Sequence, residues 1–271
     1  MAIKFAMIGG GVMGEALLSR LLDRNLYLSS DVLVSEPQPE RQAFLAQRYG
    51  VQVTDDNRQT FQATDVILLA IKPQVLPQVA AQLAGLSSPL TQPPILASIL
   101  AGTSLHQLET AFPGLPIVRA MPNTPATVGA GITAIAGGQR TQPHHLELAQ
   151  RIFQAVGEVL TVPEAQMDAV TGLSGSGPGF VAIMIEALTD GGVAAGLPRP
   201  VAARLALQTV RGTAQLLQET GLHPAELKDR VTSPGGTTIA GIAQLEQAGF
   251  RSAVIAAVQT AYQRSQQLGQ A

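Results

Sequence analysis

A chain of 271 residues, 46% hydrophobic and only 13% charged, has the material for one large or two modest buried cores. Its formal net charge of −2 leaves no electrostatic footprint for nucleic acid. The absence of cysteine excludes disulfides, cysteine nucleophiles and thiolate zinc sites, and the four histidines (His106, His144, His145 and His223) lack metal-ligand spacing. No apolar run approaches the roughly 20 residues that span a bilayer, and Lys4 is followed by a short strand-like run rather than a signal peptide. The chain therefore reads as soluble and cytoplasmic, and its sparse charge predicts that other subunits cover part of its surface.

The first half alternates β-type runs, at 3–8, 32–35, 51–53, 66–70, 95–99, 117–120, 131–136 and 158–162, with helical stretches at 15–23, 40–49, 77–83, 104–111 and 143–156. That alternation predicts right-handed βαβ units and a mainly parallel sheet. A loop is expected at 91–94, where two prolines stand together. Beyond Pro163 the pattern changes to long Ala/Leu/Ile-rich helices at 180–195, 200–219 and 250–268, so a second, all-helical domain is expected over 164–271. The helix at 180–195 is apolar on nearly every side, which predicts burial all round and, in so small a domain, a subunit interface.

The first run leads straight into Gly9-Gly10-Gly11-Val12-Met13-Gly14 and then a helix, the strand–turn–helix context that GxGxxG requires. Gly9 permits the tight turn, Gly11 lets a pyrophosphate approach the backbone, and Gly14 allows close helix–strand packing. The helix start offers free N–H groups to the diphosphate. Residues 1–163 are thus read as an α/β, Rossmann-type dinucleotide-binding domain. Glu36 stands where an acid reaches the ribose 2′-hydroxyl and repels a 2′-phosphate, favouring NADH. Arg41, five residues on, could instead swing to a phosphate, and the turn at Pro37 could direct Glu36 away. Ala70-Ile71-Lys72-Pro73 lies at a strand C-terminus, where ligands bind in open sheets; Lys72 is equally a cofactor contact or a solvated lysine.

Two further glycine-rich motifs follow. Gly172-Leu173-Ser174-Gly175-Ser176-Gly177-Pro178 resembles the GxxGxGxxxK stretch of β-hydroxyacid dehydrogenases, but Val181 replaces the lysine that ketone chemistry needs. Ser233-Pro234-Gly235-Gly236-Thr237-Thr238 opens a helix with free N–H groups and nearby hydroxyls, an arrangement suited to a carboxylate and also to an ordinary helix cap. Glu186 and Asp190, like charges one turn apart, call for cations; Arg204 or Arg211 are the expected partners. Arg119 is expected to brace the Met-Pro-Asn loop, His144-His145 to form a solvated helix start, and His223 to cap or shape a turn.

Ser-Pro-Gly-Gly-Thr-Thr, preceded by His223-Pro224 and Leu227-Lys228-Asp229, resembles the signature of pyrroline-5-carboxylate reductases. Met121-Pro122-Asn123-Thr124-Pro125, the Ala-Ile-Lys-Pro segment and Gly-Leu-Ser-Gly-Ser-Gly-Pro are similar to that family in the same order. The resemblance runs from Gly9 to about Leu268. It implies reduction of 1-pyrroline-5-carboxylate to L-proline by NADPH or NADH, without a metal. It places Ile8 and Gly9 to Met13, with Glu36 and Asn57, around the cofactor. Ala70, Ile71, Lys72 and Pro73, and then Ile99, Leu100 and Ala101, complete that set. It puts Ser233, Gly236 and Thr237 on the substrate carboxylate, Thr238 on the ring nitrogen as the catalytic residue, and Glu164 and Arg230 near the substrate. It also implies a homodimer as the unit, commonly assembled into decamers. The alternatives are another imine or hydroxyacid reductase of this architecture, or a non-catalytic NAD(P)-binding regulator.

Overall fold

A computed structural model of the chain describes residues 2–86 and 93–270; of the expected loop, Thr91 and Gln92 lie outside these. The first half builds an eight-stranded sheet: β1 (Phe5–Ile8), β2 (Val32–Ser35), β3 (Gln52–Thr54), β4 (Val66–Leu69), β5 (Ile95–Ser98), β6 (Ile117–Met121), β7 (Gly131–Gly137) and β8 (Gly157–Thr161). Their order is β3-β2-β1-β4-β5-β6-β7-β8. The first six run parallel; β7 pairs antiparallel with β6, and β8 parallel with β7.

Alternation along the central strands explains why helices cover both faces. Phe5 and Met7 of β1, with Val66 and Leu68 of β4, join one buried cluster, while Ala6, Ile8, Ile67 and Leu69 join the other. Such continuous apolar runs are what a parallel sheet buried on both sides demands. Helix α1 (Val12–Asp23) seats Leu17, Leu18 and Leu21 fully buried on the first face. Each contributes roughly 1.5–3 kcal/mol by leaving water. The remaining helices of this half are α2 (Pro39–Tyr49), α3 (Leu76–Leu83), α4 (Leu105–Ala111), α5 (Pro143–Phe153) and the single turn α6 (Met167–Val170). His145 is more than a solvated helix start: its Nδ1 accepts the N–H of Gln142 and closes a capping box at the head of α5.

The helices that follow are α7 (Gly177–Ala194), α8 (Arg199–Thr220), α9 (Pro224–Arg230), α10 (Thr237–Gln247) and α11 (Phe250–Gln270). The chain divides into two compact units, one holding the residues up to Ser176 together with those from Thr260 onward, the other Gly177–Gln259. Within the second unit α7 packs against α8, but burial of α7 on all sides does not occur within one chain. Only Thr189 of this helix is buried, and Ile183 is 67% exposed. A small unit has too few neighbouring helices to cover an all-apolar rod. The charged pair on α7 also resolves differently from expectation: Asp190 pairs with Arg199 at 2.9 Å, and neither Arg204 nor Arg211 does so. Arg199 opens α8 directly after the turn from α7, so it lies opposite the end of α7 that carries Asp190.

Candidate active site

The glycine turn sits at the point where the strand order reverses, between β1 and β4, the place where open α/β sheets bind ligands. Gly9 has φ +98°, and a Cβ there would stand 2.6 Å from the Ala70 carbonyl oxygen. A Cβ on Gly14 would meet the Gly9 carbonyl at 2.7 Å, so α1 packs against its strand closer than any side chain permits. Gly11, the N-cap of α1, faces open space and leaves the first N–H groups of the helix uncapped by any side chain.

A cleft of about 470 Å³ lies over this turn. It gathers Ile8, Gly9 and Gly11 from the first βα junction, Glu36 and Asn57 from the β2 and β3 side, and Ala70, Ile71 and Lys72 after β4. A second cleft of about 270 Å³ shares Ala70 and Ile71 and adds Met13, Ile99 and residues 121–124. Asn123 shapes its wall: its Oδ1 accepts the N–H of Ile132, and its Nδ2 donates to the Ser174 carbonyl. Ser174 lies in a single π-turn, Thr171–Gly175, at the glycine motif, and Gly175 admits the Met121 methyl so closely that a Cβ would stand 2.7 Å from it.

Of the expected cofactor residues, Gly10, Val12, Gly14, Pro73, Leu100 and Ala101 line neither cleft. Gly10 turns inward against Leu45 and Glu36, Val12 points to solvent, and Leu100 is buried. Sequence reasoning missed Ser35, Pro37, Gln38 and Asp55 in the first cleft, and Met121 to Thr124 with Gly175 in the second. The Met-Pro-Asn and second glycine motifs were the available signal, because both fall outside the runs that read as strands in the sequence.

Glu36 lines the first cleft, and its carboxylate accepts the N–H of Gly10 at 2.8 Å. Arg41 does not swing free: its Nε donates to the Gly10 carbonyl at 2.7 Å, and its guanidinium pairs with Glu15, which also accepts the Tyr49 hydroxyl. Partial burial pushes the Glu15 carboxyl up, but the bonds from Arg41 and Tyr49, with the charges of Arg41 and Arg48, hold it below its ordinary 4.5. A lowered folded-state value means that this carboxylate stabilises the fold above about pH 4.5 and ceases to do so as pH falls through the folded value. The melting temperature of Glu15→Gln is therefore expected below that of the wild type at neutral pH, with the gap closing under acid in paired thermal scans.

Glu164 is engaged away from both clefts. Its Oε1 accepts Arg119 Nη1 at 2.8 Å and the N–H of Leu105 at 2.9 Å, while Oε2 is buried with no hydrogen-bond partner among the described residues. Arg119, with its side chain only 5% exposed, also approaches Asp168, whose carboxylate accepts the Ser265 hydroxyl near the end of α11. Arg119 thus ties β6 to the segment around α6, a wider brace than the loop support expected of it. Removing one member of such a pair strands charge, so Arg119→Met should lower the unfolding free energy by about 3 kcal/mol in denaturant titrations.

In the second unit, the segment before α10 is built by two glycines with different tasks. Gly235 has φ +66°, a left-handed turn, whereas Gly236 makes room for the Ser233 hydroxyl, which a Cβ would approach to 2.3 Å. Gly236 is the N-cap of α10, and the first helical bond runs from the N–H of Ala240 to its carbonyl. The preceding N–H groups carry no side-chain cap, and the hydroxyls of Ser233, Thr237 and Thr238 make no hydrogen bond among the described residues. An ordinary Ser/Thr cap is thereby absent, and the arrangement is open to an anion. Arg230 is spent within α9 on Glu226, and His223 caps α9 by accepting the N–H of Ala225.

Comparison with known proteins decides the family. Residues 164–268 match the model described as pyrroline-5-carboxylate reductase dimerisation, and residues 4–102 match that described as NADP oxidoreductase coenzyme F420-dependent. The pyrroline-5-carboxylate reductase of Synechocystis sp. is 56% identical over 269 residues, 99% of each chain. The chain belongs to the pyrroline-5-carboxylate reductase family. The Methanosarcina acetivorans reductase is 43% identical, covering 98% of both chains. Two solved reductases share the fold from end to end. That of Coxiella burnetii superposes with TM-score 0.89 at 32% identity, covering 99% of each chain. The Plasmodium falciparum enzyme, solved with NADP bound, gives 0.87 at 30% identity and 98% of each.

Proposed function

We propose that this chain reduces 1-pyrroline-5-carboxylate to L-proline with NADPH or NADH, the last step of proline synthesis. The observation that carries this reading is end-to-end identity with the family on a chain whose glycine turn underlies an open cleft at the sheet's switch point. The fit to a dinucleotide is physical: Gly11 offers open space to a pyrophosphate, α1 presents uncapped N–H groups to it, and the two clefts share Ala70 and Ile71 as a wall.

When bound, the cofactor supplies a hydride. Met13, Ile99 and Met121 give the second cleft an apolar wall against which the nicotinamide would rest. The uncapped N–H groups at Thr237 and Thr238, with the Ser233 hydroxyl, hold the substrate carboxylate, and the Thr238 hydroxyl orients the ring nitrogen. A cyclic imine protonates far more readily than a ketone, so the iminium needs no strong acid from the protein and positioning does most of the work. Glu164 and Arg230 belong to this substrate set by family likeness: Glu164 Oε2 has no partner among the described residues, and the Arg230 guanidinium has further N–H donors beyond its bond to Glu226. Ile8, Gly9, Gly11, Val12 and Gly14 shape the diphosphate seat, while Pro73, Leu100 and Ala101 support the walls.

The apolar surface of α7, within the family's dimerisation match, is covered by a second copy, with decamers as the larger assembly. No helix among the described residues is long and apolar enough to cross a membrane, and we place the enzyme in the cytoplasm. Oxidation of NADPH or NADH by the purified chain, dependent on added pyrroline-5-carboxylate, is the expected result. Nucleotide binding without oxidation would overturn the reductase in favour of a regulatory protein.

A further inference from the structure

Ile99, the first residue after β5, lines the second cleft, and the segment from it to Ser104 leads into α4. The backbone of this segment takes a left-handed turn at Gly102, φ +73°, against the far end of the chain. The turns of α11 from Thr260 onward belong to the same compact unit as the segment. A Cβ on Gly269 would stand 2.7 Å from the Gly102 carbonyl oxygen, and one on Gly102 would stand 3.2 Å from the Leu268 Cβ. No side chain fits on the Gly269 side of this contact.

Polar bonds fix the same contact. The last carbonyls of a helix lack intrahelical donors, and the Gln107 side-chain amide supplies one to Gly269 at 3.1 Å. Gln107 also completes the capping box of α4, its Oε1 accepting the N–H of Ser104 at 2.9 Å. One side chain thus serves the start of α4 and the end of α11 together. One turn earlier, Ser265, only 3% exposed, donates its hydroxyl to Asp168 at 2.8 Å. Glu164 accepts the N–H of Leu105 at 2.9 Å and holds the first turn of α4 from a second element. Chain ends are poorly ordered unless something ties them down. Here a buried serine and a glycine seated on backbone do so, beside the wall of a cleft.

We propose that the end of α11 is a clasp that sets the segment between β5 and α4, and with it the Ile99 wall for the nicotinamide. Gln107, Ser265 and Gly269 are positioning residues, and none of them lines either cleft. With the clasp open, the segment would shift about its Gly102 turn, and part of the cofactor's binding energy would go into ordering it. The proposal rests on the cofactor reading above and concerns only the nicotinamide end of that ligand.

Titrations on the full-length protein test it without turnover, using NADPH beside 2′-phospho-ADP-ribose, which lacks the nicotinamide. Gln107→Glu keeps an acceptor for Ser104, and so the capping box, but its carboxylate cannot donate to Gly269. Gly269→Val forces a side chain against the Gly102 carbonyl in the last turn of a helix. Each variant is expected to weaken NADPH about three- to tenfold, the scale of one lost hydrogen bond, and to leave 2′-phospho-ADP-ribose within about twofold. Hydrogen exchange of the amides at 99–104 should quicken in both, with that of β1 and β4 unchanged. A contact that only stabilises the fold would lower the melting temperature and leave both affinities, measured well below melting, as in the wild type. That result would overturn the proposal, as would equal weakening of the two ligands. Should one variant fail to fold, the other decides. In either failure the cofactor reading stands on binding by the wild type. If the wild type binds neither ligand, the cofactor reading and the proposal fall together.

Discussion

Thr238→Val is expected to lower kcat for pyrroline-5-carboxylate reduction about 10²-fold, while nicotinamide cofactor affinity stays within about twofold. The scale is that of losing one preorganised polar group at the reacting centre. Valine keeps the shape of threonine and removes only the hydroxyl, which has no partner among the described residues and is therefore free for the substrate ring nitrogen. The variant should fold normally, because Thr238 is exposed in the first turn of α10 and its backbone N–H is retained. Thr238→Ser, which restores a hydroxyl, should recover most of the activity. Single-turnover rates with pre-bound cofactor separate this loss from any change in cofactor binding. A Thr238→Val enzyme with wild-type turnover would remove the hydroxyl from the mechanism.

The second large effect comes from the glycine turn, where two neighbouring substitutions should fail in different ways. Gly9→Ala places a Cβ 2.6 Å from the Ala70 carbonyl at φ +98°, and neither backbone segment can yield without disturbing the β1–β4 pairing. Backbone strain of about 1–3 kcal/mol and overpacking of similar size should together destabilise the protein by about 3 kcal/mol or more. Gly11→Ala meets nothing within 4 Å, so its cost to the fold should be about 1 kcal/mol or less, that of a poorer N-cap. Its methyl nevertheless fills the space through which a pyrophosphate reaches the backbone, and cofactor affinity should fall more than about tenfold. Thermal melts with and without NADPH or NADH check both. A Gly9→Ala protein as stable as wild type would contradict the tight turn, and undiminished cofactor binding by Gly11→Ala would contradict the diphosphate seat.

Most of the sheet was legible from local pattern. Apolar runs such as Val32–Ser35 and Val66–Leu69 need no long-range information, because a strand buried on both faces is continuously apolar wherever it is placed. The spacing of Gly9, Gly11 and Gly14 was readable for a similar reason: Gly9 and Gly14 answer steric demands set by the turn itself, and Gly11 keeps the space above the helix start open. The walls of the second cleft were not readable in this way. Met121 and Gly175 are far apart in sequence, and their contact depends on how a π-turn meets the end of β6. The partner of Asp190 was missed because helix register across the α7–α8 turn decides between Arg199, Arg204 and Arg211.

What the sequence determined by itself is a doubly covered α/β unit with a nucleotide turn, a helical second half, and motifs in the order that one reductase family carries them. These follow from periodicity, glycine sterics and local spacing, which act over a few residues. Only the tertiary structure decided what the charged groups do. Glu36 could bind a ribose or hold a glycine turn, and Arg41 could reach a phosphate or a carbonyl. Arg119 could support one loop or tie several elements together. Charge pairing is non-local, and the low dielectric around a partly buried group makes its nearest partner decisive. The same side chains therefore had several readings until the fold brought Gly10, Glu15 and Glu164 beside them.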